Sequence, residues 1–257
     1  MLRFEWVAAS YFLLLTAAAI VSPSTARRAL RGATASLATG LLVVLLSQTA
    51  PVEARFWSAH LFLALGYWIP SMLTAPPGET RFETWLRQSD EGWRRSVPRL
   101  TPAAMAVLEL AYLSCYFVVP AAFVTAWAHG TIEQVDRYWV AVLLSGFACY
   151  GSLPWLVSRP PRMFGEPDGR RPATNFAAFN VSVLRRVSHE LNTFPSGHVA
   201  VAIAVALTIA PISQPAGVLF GMLAAGIAAG ASVGRYHYGV DVVAGALLGV
   251  AAALISR

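Results

Sequence analysis

Long apolar stretches separated by short polar breaks run through the chain, and eight of them read as helices. The first is Phe4–Val21, the second Ala33–Ser47, and the third Phe56–Leu73, which stops ahead of Pro76-Pro77-Gly78. The fourth runs from Pro102 to Ala128 and the fifth from Tyr138 to Val157, with a bend expected at Pro154. Gly197–Ser213, Gly217–Val233 and Val240–Ile255 follow as a block with short connections. Several of these approach or reach the ~20 apolar residues that cross a bilayer. The pattern predicts an all-α, polytopic integral membrane helical bundle of about eight transmembrane helices.

Two stretches break that pattern. Over 80–100, Phe82, Trp85, Leu86 and Trp93 recur at helical spacing beside Arg87, Arg94 and Arg95, which fits a helix lying at headgroup depth. Over 158–194, Phe176, Phe179, Val183, Val187 and Leu191 share one helical face, with Arg185 and Arg186 beside it, and predict a second interfacial helix. The chain so divides into N-terminal transmembrane helices (1–75), an interfacial amphipathic segment (76–101) and a larger helical bundle (102–257).

Composition sharpens the membrane reading. Hydrophobic residues are 56% and charged residues 12%, against about 25% charged in soluble domains. The net charge of +6 comes from 19 arginines with no lysine. In such a chain this reads as loop charge facing anionic lipid, and no basic, aromatic-interleaved strand pattern supports nucleic acid. Cys115 and Cys149 fall inside apolar helices as small hydrophobes, without disulfide or metal-ligand spacing. Phe4–Val21 is long for the apolar core of a signal peptide, and Ser24-Thr25-Ala26 is a weak cleavage site, so it reads as a membrane helix. Gly217, Gly221 and Ala225, then Gly245, Gly249 and Ala253, form rows of small residues that let helices approach closely. Asn180-Val181-Ser182 is an acceptor sequon, meaningful only in a eukaryotic source.

Three polar stretches carry the candidate chemistry. Pro195 suits a first helical turn, where Ser196 and Gly197 expose amides that favour an anion, and His198 stands beside them able to exchange a proton. His237 and Asp241 are four apart, so a helix begun by Tyr238 puts them on one face, with the carboxylate orienting the imidazole. Arg159 follows the fifth apolar segment. Each has a plainer alternative: a Pro-Ser helix start with an interfacial histidine, or a turn histidine capped by an aspartate. Helices alternating in direction open the loops after the fifth and seventh on one membrane face, so Arg159, His198 and His237 converge there. Glu109 lies inside the fourth helix near Tyr112 and Tyr116, either turned into the bundle or held near the headgroups.

These three stretches, in this order, resemble the signatures of the type 2 phosphatidic acid phosphatase superfamily over roughly residues 100–255. Arg159-Pro160 is similar to the end of the first signature, Pro195-Ser196-Gly197-His198 to the second, and His237 with Asp241 to the third. The resemblance implies a lipid phosphatase acting on a phosphomonoester or diphosphate through a phosphohistidine: His237 attacking, Asp241 orienting it, and His198 serving as acid and then base. Arg159, Ser196 and Gly197 would hold the phosphoryl oxygens, with no metal or other cofactor. Ser152 stands where the family carries lysine and Ala231 where it carries arginine, and Arg162 and Arg235 are the expected substitutes. Gly234-Arg235-Tyr236-His237-Tyr238 is similar to the inositol phosphotransferase branch, which keeps headgroup transfer to an alcohol open. A non-enzymatic membrane protein with a residual phosphate site is the third reading. The expected partners are a lipid phosphate and the bilayer, with no nucleic acid and the oligomeric state open. Fifteen of the arginines fall on the site side and Arg3, Arg55, Arg137 and Arg257 on the other, which favours a cytoplasmic site by the positive-inside rule. The resemblance implies instead a multi-pass protein of the cell membrane with an extracytoplasmic site.

Overall fold

The computed structural model describes residues 1–75, 78–97, 100–165 and 174–257, without the side chains of Arg94, Ser96 and Val187. The Pro76-Pro77 break and the side chains of Arg94 and Val187 lie outside the described residues. Within them the chain is all-helical: α1 (Arg3–Ala18), α2 (Ala26–Thr49), α3 (Val52–Met72), α4 (Arg81–Ser96), α5 (Pro102–Leu113), α6 (Cys115–His129), α7 (Ile132–Gly151), α8 (Asn175–Val187), α9 (Gly197–Ile209), α10 (Gln214–Val233) and α11 (Gly239–Ile255).

Among the described residues, the expected count of eight membrane-crossing helices is not confirmed. Three are long and apolar enough, α1 with its 3₁₀ extension to Val21, α2 and α10, and the bent pair α5–α6 makes up to four. Both α9 and α11 are apolar but shorter, while α3 and α7 carry Glu53, Arg55, Asp136 and Arg137 near their starts.

Local chemistry explains where the predicted boundaries move. The fourth predicted helix breaks at Ser114 into α5 and α6, which meet at 53°. One turn on, Pro120 has no N–H for the Tyr116 carbonyl, and its ring crowds that turn. The fifth starts six residues early because Thr131 and Gln134 form a capping box that closes its N-terminus. Asp136 is thereby drawn into the helix, where its carboxylate accepts from the amides of Arg3 and Phe4 and from the Arg3 guanidinium. Pro154 lies beyond the end of α7 and bends nothing.

At the core, α7 packs against α1, α3, α9 and α11, and α9 against α10 and α11. Tyr138, Trp139, Phe147, Val199, Val205 and Ile209 are buried there. Gly249 meets the Ala200 carbonyl and Gly245 the Ser196 carbonyl, so close that a methyl group would overlap. Arg3, Glu5, Arg55, Asp136 and Ser256 gather at one end of the bundle. α11 runs from Asp241 to that end, placing the polar cluster described next at the opposite one.

The two stretches expected to be interfacial are helical, as α4 and α8, each with a buried face that the periodicity did not show. On α4, Trp85 and Trp93 are exposed, but Glu83, Leu86 and Asp90 form the buried face. On α8, Phe176 and Phe179 are exposed, Asn180 and Leu184 face inward, and Leu191 falls past the helix end. Asn180 is tied by its side-chain amide to Glu109, so the sequon's acceptor is inaccessible in the fold.

Candidate functional site

α9 begins at Gly197 with Ser196 as its N-cap, so Pro195 stands outside the helix instead of in its first turn. The first intrahelical bond runs from the Ala200 amide to the Ser196 carbonyl, and the amides of Gly197, His198 and Val199 precede it. The Ser196 amide is already committed to the Asp241 carbonyl, 3.1 Å away. Its hydroxyl is buried with no hydrogen-bond partner. Gly197 is required by space: a β-carbon would sit 2.5 Å from the Tyr150 ring. This packing seats His198 half-buried at the mouth of α9.

His237 arrives from the turn between α10 and α11. Its amide and that of Tyr236 both donate to the carbonyl of Ala231, at 3.0 and 2.9 Å. The residue at the position where the expected arginine is missing therefore fixes the histidine's backbone. The His237 ring is 5% exposed, and its Nδ1 lies 3.5 Å from Asp241 Oδ2. That oxygen accepts hydrogen bonds from Asn192 Nδ2 at 2.9 Å and from the Tyr238 amide at 3.1 Å. The His198 and His237 ring centroids are 5.9 Å apart, at 60° to each other. Around them Ser196 Oγ, His198 Nδ1, His237 Nδ1, Asp241 Oδ1 and Asn192 Oδ1 are buried without hydrogen-bond partners. Such atoms are rare, and their concentration marks a site built for something other than stability.

Two spaces meet at His198. A cleft of about 20 Å³ is lined by His198, His237, Arg162, Thr193 and Tyr236. An adjoining cavity of about 350 Å³ is also lined by His198, with Tyr67, Leu184 and Ser188 common to both, and its walls are mostly apolar and aromatic.

The arginines divide in a way the sequence did not show. Arg162 lines the cleft and lies over the Tyr236 ring at 5.6 Å. Arg159 does not line it. Its amide, Nε and Nη2 all donate to Glu83 of α4, at 2.8, 3.0 and 2.6 Å, and its guanidinium stacks on Phe164. Burial pushes the Glu83 carboxyl up, but the hydrogen bonds from Arg159 outweigh it and hold the group below the ordinary carboxylate value. Arg235, expected at the phosphate, instead donates to the carbonyls of Gly165 and Pro161. It braces the Pro161–Phe164 turn that presents Arg162. Ser152, at the lysine position, donates its hydroxyl to the Phe194 carbonyl at 2.5 Å, anchoring the loop that leads into Ser196.

Several participants were missed. Glu83 and Asp90 are seven apart on α4; Asp90 accepts from the Gly239 amide, and Trp93 donates to Ser232 and covers Gly239. One helix thus fastens both the Arg159 loop and the His237 turn. The signal was present, since two acids and Leu86 at positions i, i+7 and i+3 share one face. Asn192 carried no local signal. Glu109, left open between two positions, faces inward and accepts from Tyr236 Oη at 2.5 Å and Asn180 Nδ2 at 2.6 Å.

Among the described residues the chain is an all-helical bundle with membrane-compatible apolar helices and a carboxylate-backed histidine pair at one end. The chain belongs to the PAP2 superfamily, whose model matches residues 80–255, from the start of α4 to the end of α11. Members are generally phosphoester hydrolases, so membership suggests phosphatase-type activity. Neither a curated protein nor a solved structure matches the chain.

Proposed function

We propose that the protein is a membrane-embedded phosphatase that removes a phosphoryl group from a lipid phosphate through a phosphohistidine. The observation that supports this best is the facing pair His198 and His237, ringed by unpartnered buried polar atoms. With His237 Nδ1 turned to Asp241, its Nε2 is the atom available to attack phosphorus. The P–O bond to the alcohol breaks as the P–N bond forms, and His198 delivers its proton to the departing oxygen. Water then gives a proton to His198 and attacks the phosphohistidine, the P–N bond breaks, and phosphate leaves. Asp241 stabilises the imidazolium that develops on His237. Arg162 and the amides of Gly197 to Val199 offer positive charge to the equatorial oxygens. Arg159, held by Glu83, contributes from the rim.

The reading extends to a multi-pass protein of the cell membrane with its site on the extracytoplasmic side. It is tested with protein purified in detergent, given phosphatidate or a polyprenyl diphosphate with and without a chelator. Phosphate release blocked by vanadate and abolished in His237→Ala is expected. Full activity in that variant would falsify the phosphohistidine step.

A further inference from the structure

The larger cavity, about 350 Å³, lies between α3, α6, α7 and α9. Leu63, Tyr67, Tyr116, Val119, Val201 and Ala202 supply its walls, and His198 closes one end. The bend of α6 away from α5 at Ser114, with Pro120 on the wall, opens this space. His198 is shared with the polar cleft that holds His237 and Arg162. Cleft and cavity also share Tyr67, Leu184 and Ser188, so they adjoin along a common wall that includes the His198 imidazole.

We infer that the cavity receives the hydrocarbon chain of the departing alcohol, one chain to a depth of about ten carbons. This rests on the assignment of His198 as the acid. In phosphoryl transfer the attacking and leaving atoms lie roughly in line on opposite sides of phosphorus. With His237 attacking, the leaving oxygen must come within hydrogen-bond reach of His198, and the carbon it bears then points into the cavity that adjoins the cleft there. The cavity walls are mainly apolar, so the chain loses water or lipid contact with few polar groups facing it. A water-sized unit fills about 30 Å³ and a methylene is similar, so 350 Å³ holds on the order of ten carbons. A substrate with two chains would place only one there.

The test is a series of straight-chain monoalkyl phosphates from two to sixteen carbons, assayed on the purified full chain. Each buried methylene should raise kcat/KM roughly fourfold, the rise ending near ten carbons. Two variants narrow the cavity from opposite walls: Ala64→Trp, at an exposed position of α3, and Ala202→Phe. Each should lower the ratio of ten-carbon to two-carbon rates at least tenfold, and because detergent partitioning is common to all proteins it cancels from that comparison. Decyl phosphate carrying a terminal diazirine gives a readout independent of turnover, and should label α3, α6 or α9. A ratio unchanged in a folded variant, or label confined to the outer faces of α1 and α2, overturns the inference while leaving phosphatase activity intact. Absence of turnover on every phosphate removes the functional reading and this one together.

Discussion

Replacing Glu83 with glutamine tests how α4 is held. The carboxylate is fully buried and takes three hydrogen bonds from Arg159, two of them from the guanidinium. Bonds to a charged group contribute about 1.5–3 kcal/mol each when buried. The Arg159 side chain is 34% exposed, however, so solvent screening removes much of that, and the amide oxygen of glutamine can still accept. About 2 kcal/mol remains, which for a chain of this size lowers Tm by about 4–8 °C. Thermal unfolding followed by circular dichroism in one detergent measures it. The sign with pH follows from the carboxyl's lowered position. Stabilisation is complete above the ordinary glutamate value of about 4.3 and is lost as pH falls through the lower folded-state value. The gap between parent and variant should stay constant from pH 5 to 8 and close below about pH 4. Placed in an Arg159→Gln background, Glu83→Gln should cost much less. An equal loss in both backgrounds, or no loss at all, refutes the pairing.

Three further outcomes follow from the same geometry. Glu109→Gln and Tyr236→Phe should each reduce kcat about tenfold, and the double variant should be no worse than the poorer single one, because both break one buried bond beside His237; fully additive losses in kcat contradict this. His189, stacked on Tyr67 at 4.3 Å, has its imidazole pushed down to about 4 by burial. The folded protein keeps it neutral while the unfolded chain protonates it near 6.5, so stability should fall by on the order of 2–3 kcal/mol as pH drops from about 6.5 to about 4. His189→Asn should flatten that slope, and an unchanged slope in the variant argues against it. In intact cells, a membrane-impermeant maleimide should label Met163→Cys, exposed at the site end, and spare Ile132→Cys at the other; the reverse pattern puts the site in the cytoplasm.

Much of this arrangement was readable from the chain because its chemistry is local. Pro195 to His198 and His237 to Asp241 are short runs whose spacing alone places the groups, and parity of the apolar segments put them at one end. What escaped was non-local or masked. The pairing of Arg159 was hidden because nothing near it in sequence announces Glu83, which lies 76 positions earlier. Arg235 is turned to backbone carbonyls that only the folded Pro161–Phe164 turn assembles. Apolar continuity outweighed the Thr131–Gln134 box as a helix start, and so Asp136 was left outside α7. The count of eight crossings is not confirmed for a related reason. Apolar runs such as the 13-residue α9 are short, and neighbouring helices bury most of its residues.

α4 grips the Arg159 loop through Glu83 and the His237 turn through Asp90 and Trp93 while its other tryptophan, Trp85, stays uncovered. Any displacement of this helix pulls on both loops at once. Removing the protein from its native lipids is therefore a mechanical intervention as well as a chemical one, and turnover in vesicles and in micelles should be compared before either is taken as intrinsic.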